Sequence, residues 1–311
     1  NFLLFDYKGE FSDIQNNHWL SLFDVDRSCI LDPLTQPLPF TPFKDFTGRS
    51  INEINLYSTE MSSALCSIDR VSASANMNNR LSEAIVEAYK STNGAPISFE
   101  LMLKCYQSRM KDANNDDSIS SVLKQLVNAH IFESEDKVSL IDDSYIIKMD
   151  GYPKDGPIAK AIVYFLMSKL NNIYELLDKQ AVNDEVVQIR HFSIIDEAHY
   201  MLDFDNRPLR NLIAVGRNKG LSIILATQNM SSFKSKGFDF YANAQYPLIM
   251  KQQTIDDKVI KDLFGVSGQE LQEIRTAIAG LQKGELIIKD QMAFALGMGN
   301  KYKKINVTHL I

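Results

Sequence analysis

Residues 191–199 read His-Phe-Ser-Ile-Ile-Asp-Glu-Ala-His, an apolar run that ends in two adjacent carboxylates. An apolar segment of this length is typical of a buried β-strand, which predicts that Asp196 and Glu197 stand at its carboxyl end. Open α/β sheets bind their ligands at that edge, outside the carboxyl ends of the strands. These residues alone leave two interpretations open: a ligand-binding pair of acids, or a solvated strand end.

The chain that follows predicts a βαβ unit. A polar helical stretch leads to Gly216-Arg217-Asn218-Lys219-Gly220, and residues 221–226 then form a second apolar strand. Parallel strands joined by a crossover end at the same edge of a sheet, so Gln228, just after the second strand, is expected beside Asp196. Arg217 precedes that strand and is expected at the opposite edge, out of reach of the acids of its own chain.

Two adjacent acids after a buried strand have the layout of the Walker B motif of P-loop ATPases. In that motif one acid holds Mg²⁺ and the other polarises the water that attacks the γ-phosphate, which predicts these roles for Asp196 and Glu197. The amide of Gln228 can hold the water or the γ-phosphate, and Arg217 can enter the nucleotide site of a neighbouring subunit. A surface arginine in a turn is the plainer interpretation of Arg217.

Several other segments, in their order along the chain, resemble the HerA/FtsK-type hexameric motor ATPases, which include DNA translocases and the ATPases of conjugation and secretion. The segments are Phe5-Asp6-Tyr7-Lys8-Gly9-Glu10-Phe11, similar to the family's second core strand and acidic turn; Leu31-Asp32-Pro33-Leu34, similar to its "NPL" element; residues 65–89, similar to its long helix; residues 145–153, similar to its "DLSGLP" strand; and Leu281-Gln282-Lys283-Gly284-Glu285-Leu286, similar to its closing hairpin. The resemblance covers nearly the whole chain, and the order of the segments is its most specific feature.

The resemblance implies a fold, cofactors and site residues. The fold it implies is α/β: a RecA-like, mostly parallel sheet flanked by helices, with an inserted α-helical lid and a C-terminal antiparallel hairpin. The cofactors it implies are ATP and Mg²⁺. The site residues it implies are Glu197, Gln228 and Arg217 for catalysis, Asp196 for Mg²⁺, and Asp196, Asp6 and Glu10 for nucleotide binding.

The family's phosphate-binding loop does not occur in this sequence. No Gly-x-x-x-x-Gly-Lys-Ser/Thr is present, so the backbone cradle and the lysine for the β- and γ-phosphates are not encoded here. In the family this loop lies one helix before the strand that begins here at Asn1, and we therefore expect the chain to start just after it. We expect this chain alone to be inactive on ATP. A degenerate loop in the whole protein, as in a pseudo-ATPase, is the alternative.

The pattern between the motifs predicts three parts. They are an ATPase core segment over 1–58, an α-helical insertion over 59–143, and the rest of the core over 144–311. Helical periodicity within the insertion predicts helices over residues 78–90, 97–110 and 119–131. A crossover helix is predicted from Pro157, with a coiled-coil seam as the alternative, and the closing hairpin is predicted over residues 285–296.

Composition limits the partners and the compartment. The formal net charge is −6 and the pI is about 5.5, which excludes a general nucleic-acid coat. Three widely separated cysteines indicate neither a disulfide framework nor a Cys-x-x-Cys site, so a reducing, cytoplasmic setting is expected. No apolar run approaches the roughly 20 residues that span a bilayer, so no membrane contact is expected for this portion.

An acidic chain can still move DNA, because every subunit of a ring supplies the same few cations to the pore. Candidates for DNA contact are Lys234, Lys236, Arg207 and Arg210, with an ordinary solvated surface as the alternative for each. The function expected is the ATPase portion of a homo-hexameric motor on duplex DNA. A nuclease or other subunits of a DNA-processing or restriction (defence) complex are expected as further partners. The alternatives are a non-catalytic ring scaffold or regulator, and a conjugation or secretion motor.

Two other assignments of the opening segment fail. Asp-Glu-Ala-His also names a class of RNA helicases, but their Ser-Ala-Thr and Gln-x-x-Gly-Arg-x-x-Arg elements do not follow here. His191 and His199 do not share a metal, because at about 3.3 Å per residue they lie more than about 20 Å apart along the strand. His199 is instead expected to be a hydrogen-bonding helix residue.

Overall fold

The computed structural model describes most of the chain. The described residues are 1–13, 15, 20, 25–68, 73–111, 115–183, 186–202, 204–228, 230–235, 238–290 and 301–307. They belong to two compact units, Asn1–Leu225 and Ala226–Ile311. Within the described part, no helix is both long enough and apolar enough to cross a membrane.

The first unit is built on a parallel sheet of five strands in the order β2-β3-β1-β6-β7. Its strands are β1 (Phe2–Asp6), β2 (Ile30–Leu31), β3 (Tyr145–Lys148), β6 (His191–Ile195) and β7 (Leu221–Leu225), and the short β4 (Val182–Asn183) and β5 (Val186–Val187) pair separately. Phe5 lies between Ile147 and Ile195 of the neighbouring strands, so β1, β3 and β6 end together. We call this end of the sheet the carboxyl edge, and the end at which β6 and β7 begin the amino edge.

Burial of the central strands follows from the helices that cover the sheet. Leu3, Phe5 and Ile147 are fully buried, as near-continuous apolar strands of parallel sheets are. Helix α5 (Pro157–Leu176) packs on β6, where the Ser193 hydroxyl lies 3.8 Å from the sulfur of Met167. The βαβ unit predicted from the sequence is confirmed, because β6 and β7 are adjacent and parallel.

Helices separate β2 from β3, as the 3.6-residue periodicity predicts. They are α1 (Ile51–Ile68), α2 (Ala75–Ser91), α3 (Phe99–Gln107) and α4 (Ser118–Ala129). The side chains of Ser74, Ser98 and Asp117 cap the starts of α2, α3 and α4, each accepting a backbone N–H bond. The single long helix implied for residues 65–89 is wrong, because the Ser74 cap begins a new helix there. The three-part division of the sequence stays a prediction.

The remaining helices of the first unit connect the sheet strands. They are α5 (Pro157–Leu176), α6 (His199–Leu202) and α7 (Arg207–Val215). Pro157 stands in the first turn of α5, where its missing N–H costs no hydrogen bond. The helix is buried along most of its length between β3 and β6, which confirms the crossover helix rather than a coiled-coil seam.

The second unit has its own core and its own sheet. Its elements are β8 (Lys234–Ser235), β9 (Phe238–Asp239), α8 (Phe240–Asn243), β10 (Leu248–Met250), α9 (Asp257–Phe264), α10 (Gly268–Ala279), β11 (Glu285–Lys289) and β12 (Tyr302–Asn306). The antiparallel sheet has the order β10-β11-β12, with Ile249 and Ile287 packed in a core with Ile260 and Phe264. β10 is an edge strand, as Pro247 predicts.

The predicted closing hairpin is confirmed as an antiparallel pair, with a different second strand. β11 begins at Glu285 as expected, but its described partner after the turn is β12, which begins at Tyr302. Residues 291–296 of the predicted hairpin lie outside the described residues.

Candidate functional site

Three of the sequence-predicted site residues meet at the carboxyl edge. Asp6 ends β1, and Asp196 and Glu197 directly follow β6. The backbone N–H of Asp196 donates to the carbonyl of Phe5 at 3.4 Å, which holds the two strand ends together. The sheet therefore brings these carboxylates to one place from positions far apart in the sequence.

Glu197 is held in an unusual conformation. Its φ of 48° lies in the left-handed region, which costs a residue with a Cβ roughly 1–2 kcal/mol. Its side chain is only 5% exposed, with Oε1 2.6 Å from the ammonium nitrogen of Lys8 and Oε2 3.3 Å from Nδ1 of His199. A strained backbone persists where the surrounding contacts over-determine it, and such positions cluster at functional sites.

Asp6 organises the loop that follows β1. Its fully buried carboxylate accepts hydrogen bonds from the backbone N–H groups of Lys8, Gly9, Phe11 and Ser12, and from the Ser12 hydroxyl, at 2.8–3.3 Å. We call residues 7–12 the Asp6 loop. Because the Asp6 carboxylate accepts these bonds, it sets where Lys8 and the exposed Glu10 lie, while nucleotide contact by Asp6 and Glu10 stays a prediction.

Aromatic packing joins the Asp6 loop to the start of the next helix. The ring of Tyr7 is fully buried and stacks on Tyr200, with centroids 5.8 Å apart. Burial raises the pKa of Tyr7 well above its usual value, and the nearby Tyr200 raises it further, so the phenol stays neutral. The ring centroids of Tyr200 and His199 lie 4.1 Å apart, so Tyr200 supports the side chain that lies against Glu197.

Charge at this edge is concentrated but compensated. Burial raises the pKa of Asp196, and the nearby carboxylates of Glu197 and Asp6 raise it further. The hydrogen bond to Glu197 raises the pKa of Lys8, against a lowering by burial. A hard cation beside Asp196 would relieve its excess negative charge, and carboxylate oxygens are the ligands that Mg²⁺ prefers.

The described residues contain no group of three or more His, Cys, Asp or Glu side chains that could hold a metal by themselves. Mg²⁺ is usually held by one or two carboxylates together with substrate phosphates and water. Asp196 therefore fits Mg²⁺ that arrives with a nucleotide, and fits a closed structural metal site poorly.

Arg217 lies at the amino edge. It belongs to the turn of residues 216–219 that directly precedes β7, and its side chain is exposed. The ammonium group of Lys219 donates to the carbonyls of Tyr174 and Glu175 at 2.5 and 3.0 Å, which ties the turn to the end of α5. β6 and β7 are five residues long, so about 16 Å of strand separates Arg217 from Glu197.

The other predicted residues divide between the two units. Gln228 follows β7 and belongs to the second unit, so its place beside Asp196 stays a prediction. Lys234 begins β8, and Lys236 lies outside the described residues. Their contact with DNA stays a prediction as well.

Arg207 and Arg210 stand at the start of α7 and share one partner. Arg207 Nε lies 3.3 Å from Asp205, and a terminal guanidinium nitrogen of Arg210 lies 3.2 Å from it. The Ser63 hydroxyl of α1 also donates to Asp205 at 3.1 Å. Both arginines therefore take part in the join between α7 and α1, whatever else they bind.

Sequence reasoning missed Lys8. The signal available was the spacing Asp6-Tyr7-Lys8-Gly9, in which a glycine follows shortly after a strand-ending acid. Gly9 has a φ of 73°, a left-handed conformation that glycine adopts readily, in the loop that carries Lys8. The partner of Lys8 lies just after β6, 189 positions later in the chain (197 − 8), and nothing local in the sequence indicates that pairing.

No protein-family model and no curated protein matches this sequence. Solved structures do match it. VirB4 of Thermoanaerobacter pseudethanolicus is 14% identical, with 99% of this chain and 81% of that chain covered and a TM-score of 0.65. The plasmid coupling protein TrwB in complex with the non-hydrolysable ATP analogue ADPNP is 13% identical, with 99% and 85% covered and a TM-score of 0.55. TrwB in complex with ADP and Mg²⁺ is 12% identical, with 99% and 85% covered and a TM-score of 0.53. Identities this low show the fold alone. The structural matches confirm the predicted RecA-like α/β fold.

Proposed function

We propose that this chain is the ATPase portion of a ring-forming motor that couples ATP hydrolysis to the movement of duplex DNA. The observation that carries the proposal is the buried, strained Glu197 beside Asp196 at the carboxyl edge of a parallel sheet. The shared fold supports it, since TrwB with this fold has been captured with ADPNP and with ADP and Mg²⁺.

Each residue of the site has a distinct task in this proposal. Asp196 binds the Mg²⁺ that the nucleotide carries, and Glu197 accepts the proton of the attacking water. Gln228 orients that water, Asp6 and Glu10 shape the nucleotide side of the pocket, and Arg217 reaches the site of the neighbouring subunit. Bound Mg²⁺ would neutralise charge that develops on the phosphates.

The place of Arg217 supports a ring. An exposed arginine about one strand length from the acids of its own chain serves hydrolysis only in a neighbour's site, which requires subunits arranged head to tail. A closed homo-hexamer satisfies that requirement. Arg207, Arg210, Lys234 and Lys236 are the proposed contacts with duplex DNA, and a nuclease or other DNA-processing subunits are proposed partners in the cytoplasm.

A conjugation motor is the second candidate function. The observation that favours it is the shared fold with TrwB, described as a bacterial conjugative coupling protein. Binding to duplex DNA that weakens steeply with added salt supports a DNA cargo. Salt-independent binding, or no binding, favours a motor with protein cargo or a non-catalytic ring scaffold.

Replacing Glu197 with glutamine in the intact protein tests the proposed hydrolysis. Glutamine keeps the shape but not the base, so turnover should fall at least about 100-fold while MgATP affinity changes less than about threefold. Glu175→Gln, at the far end of α5, is the matched control and should retain turnover. A loss smaller than about tenfold for Glu197→Gln would contradict the role given to Glu197 and move it to Asp6 or Glu10.

A further inference from the structure

Among the lysine and arginine ion pairs of the described residues, Lys8–Glu197 has the most buried carboxylate. The 2.6 Å contact joins a side chain that is 29% exposed to one that is 5% exposed, so the carboxylate is almost entirely removed from water. A buried carboxylate is strongly disfavoured unless a cation and hydrogen-bond donors compensate it. Lys8 supplies that cation, and His199 supplies a second contact on the other oxygen.

The backbone that carries Lys8 is fixed by contacts of its own. The Lys8 N–H donates to Asp6 at 3.3 Å and the Gly9 N–H donates to the same oxygen at 2.9 Å. On the other side of the loop, a Cβ at Gly9 would lie 2.7 Å from a carboxylate oxygen of Asp150, so the loop sits directly against the turn after β3. Lys8 is therefore presented to Glu197 from a loop that two strand ends hold in place.

We propose that Lys8 is a positioning residue that fixes the Glu197 carboxylate at the carboxyl edge, and that Asp6 acts through the loop to fix Lys8. This inference rests on the proposed function, in which Glu197 accepts the proton of the attacking water. It gives Asp6 a task that needs no contact with nucleotide, since its oxygens already accept the loop's hydrogen bonds. The strained backbone of Glu197, with a φ of 48°, occurs at the residue whose carboxylate Lys8 holds.

Lys148 is a natural control for Lys8. It ends β3 at the same carboxyl edge, but its ammonium group lies 3.6 Å from Asp32 and 3.9 Å from Asp150, whose side chains are 24% and 36% exposed. Lys148→Met therefore removes a lysine from the same edge and keeps both members of the Lys8–Glu197 pair, while Asp150 stays against Gly9 of the Asp6 loop. Partly exposed pairs such as these contribute little to stability.

A rescue experiment on the intact protein without nucleotide tests the pair alone. Lys8→Met leaves a buried carboxylate without its cation, so the melting temperature should fall by about 5 °C or more. Adding Glu197→Gln removes the uncompensated charge and should restore at least about half of that loss. Lys148→Met should change the melting temperature by less than about 2 °C, with no rescue by Glu197→Gln. Additive effects of Lys8→Met and Glu197→Gln would overturn the inference.

Kinetics of the intact protein test the positioning. Lys8→Met should lower kcat at least about tenfold with the KM for ATP changed less than about threefold, because the water is misplaced while binding is kept. Lys8→Arg keeps the charge and should retain kcat within about threefold of wild type. A Lys8→Met enzyme with the kcat of Lys148→Met would overturn the positioning role. Retained turnover in Glu197→Gln would instead overturn the proposed function, and rescue in the melting experiment would still support the pair.

Discussion

The two ends of strand β6 handle buried polar groups in opposite ways. At the carboxyl edge, Glu197 is buried and keeps a partner for its charge in Lys8. At the amino edge, His191 is fully buried, and neither of its ring nitrogens has a hydrogen-bond partner among the described residues. Burial lowers the pKa of His191 to about 4, so the ring stays neutral.

The difference supports the proposal that the carboxyl end of the strand is the functional one. A buried group that gives up its charge avoids the cost of burying an ion, although its unpaired ring nitrogens still carry a desolvation cost. A group that keeps its charge in a buried place needs a loop, a cation and a strained backbone around it. The fold provides these features at the carboxyl edge. At the amino edge, Arg217 is exposed in a firmly anchored turn.

Arg217→Ala offers the largest expected effect and tests the amino edge. In the intact protein, hydrolysis should fall about 10³-fold or more, with ATP binding to each subunit largely retained, because a neighbour's transition state loses its cation. Steady-state hydrolysis and equilibrium nucleotide binding measure the two quantities. Arg190→Ala, an exposed arginine at the same edge, is the control and should keep turnover.

Mixed rings sharpen that test. Subunits with Arg217→Ala combined with subunits with Glu197→Gln should regain part of the activity, because one interface then has an intact base and an intact arginine. Mass spectrometry of the assembled rings establishes that both variants are present. If demonstrably mixed rings stay inactive, the two edges do not meet between subunits, and Arg217 acts within its own chain or in folding.

Lowering the pH should reduce the free energy of unfolding, because His191 is buried in its neutral form. The pKa of His191 is lower in the folded protein than the usual 6.5, so its contribution to stability is complete above about pH 6.5 and is lost as the pH falls towards 4. A difference of 2.5 pKa units corresponds to about 3 kcal/mol at most. Urea unfolding at pH 7 and at pH 4.5 measures it.

His191→Leu, an apolar replacement, should reduce this acid-dependent loss in that pH range. His130→Asn, at the exposed end of α4, should leave the loss at its wild-type size. The other titrating groups remain in both variants, so the comparison isolates His191. Equal acid sensitivity in His191→Leu and wild type would show that the ring is not buried in neutral form.

Two glycines compare the rigidity of the two edges. Gly220 has a φ of 82°, and a Cβ there would lie 2.7 Å from the backbone carbonyl oxygen of Gln188. Gly9 has a φ of 73°, but its nearest obstacle is the side chain of Asp150, which can turn away. Gly220→Ala should therefore cost about 3 kcal/mol and Gly9→Ala about 1–2 kcal/mol. The midpoint of urea unfolding checks the order, and a larger cost at Gly9 would contradict it.

Elements with strong periodicity could be predicted from the sequence. β6, β7 and the crossover between them follow from two apolar runs of strand length, and α5 follows from Pro157 and a long apolar stripe. The break between α1 and α2 was missed, because helix-favouring residues lie on both sides and a single capping serine decides the matter. A resemblance to a long helix carries no information about such a cap.

The acids of the candidate site could be predicted from the sequence. The residues that contact those acids could not. Asp196 and Glu197 are adjacent in sequence and end an apolar run, so their place at the sheet edge needs only the strand assignment. The contacts that tune them depend on loop geometry: Lys8 reaches Glu197 because Asp6 and Gly9 turn the chain back. Sequence patterns predict elements well, whereas such contacts depend on how separate elements meet.

The contacts of Asp205 determine how helix α7 is attached to the rest of its unit. Asp205 is tied to α1 through Ser63, and its own backbone N–H donates to the Ser67 hydroxyl at 3.0 Å. α7 then runs for 9 residues, about 13 Å, and Arg217 follows directly after its end. A helix of this length is stiff, so α7 is a rigid link between Asp205 and Arg217. Through these contacts the position of α1 constrains that of Arg217.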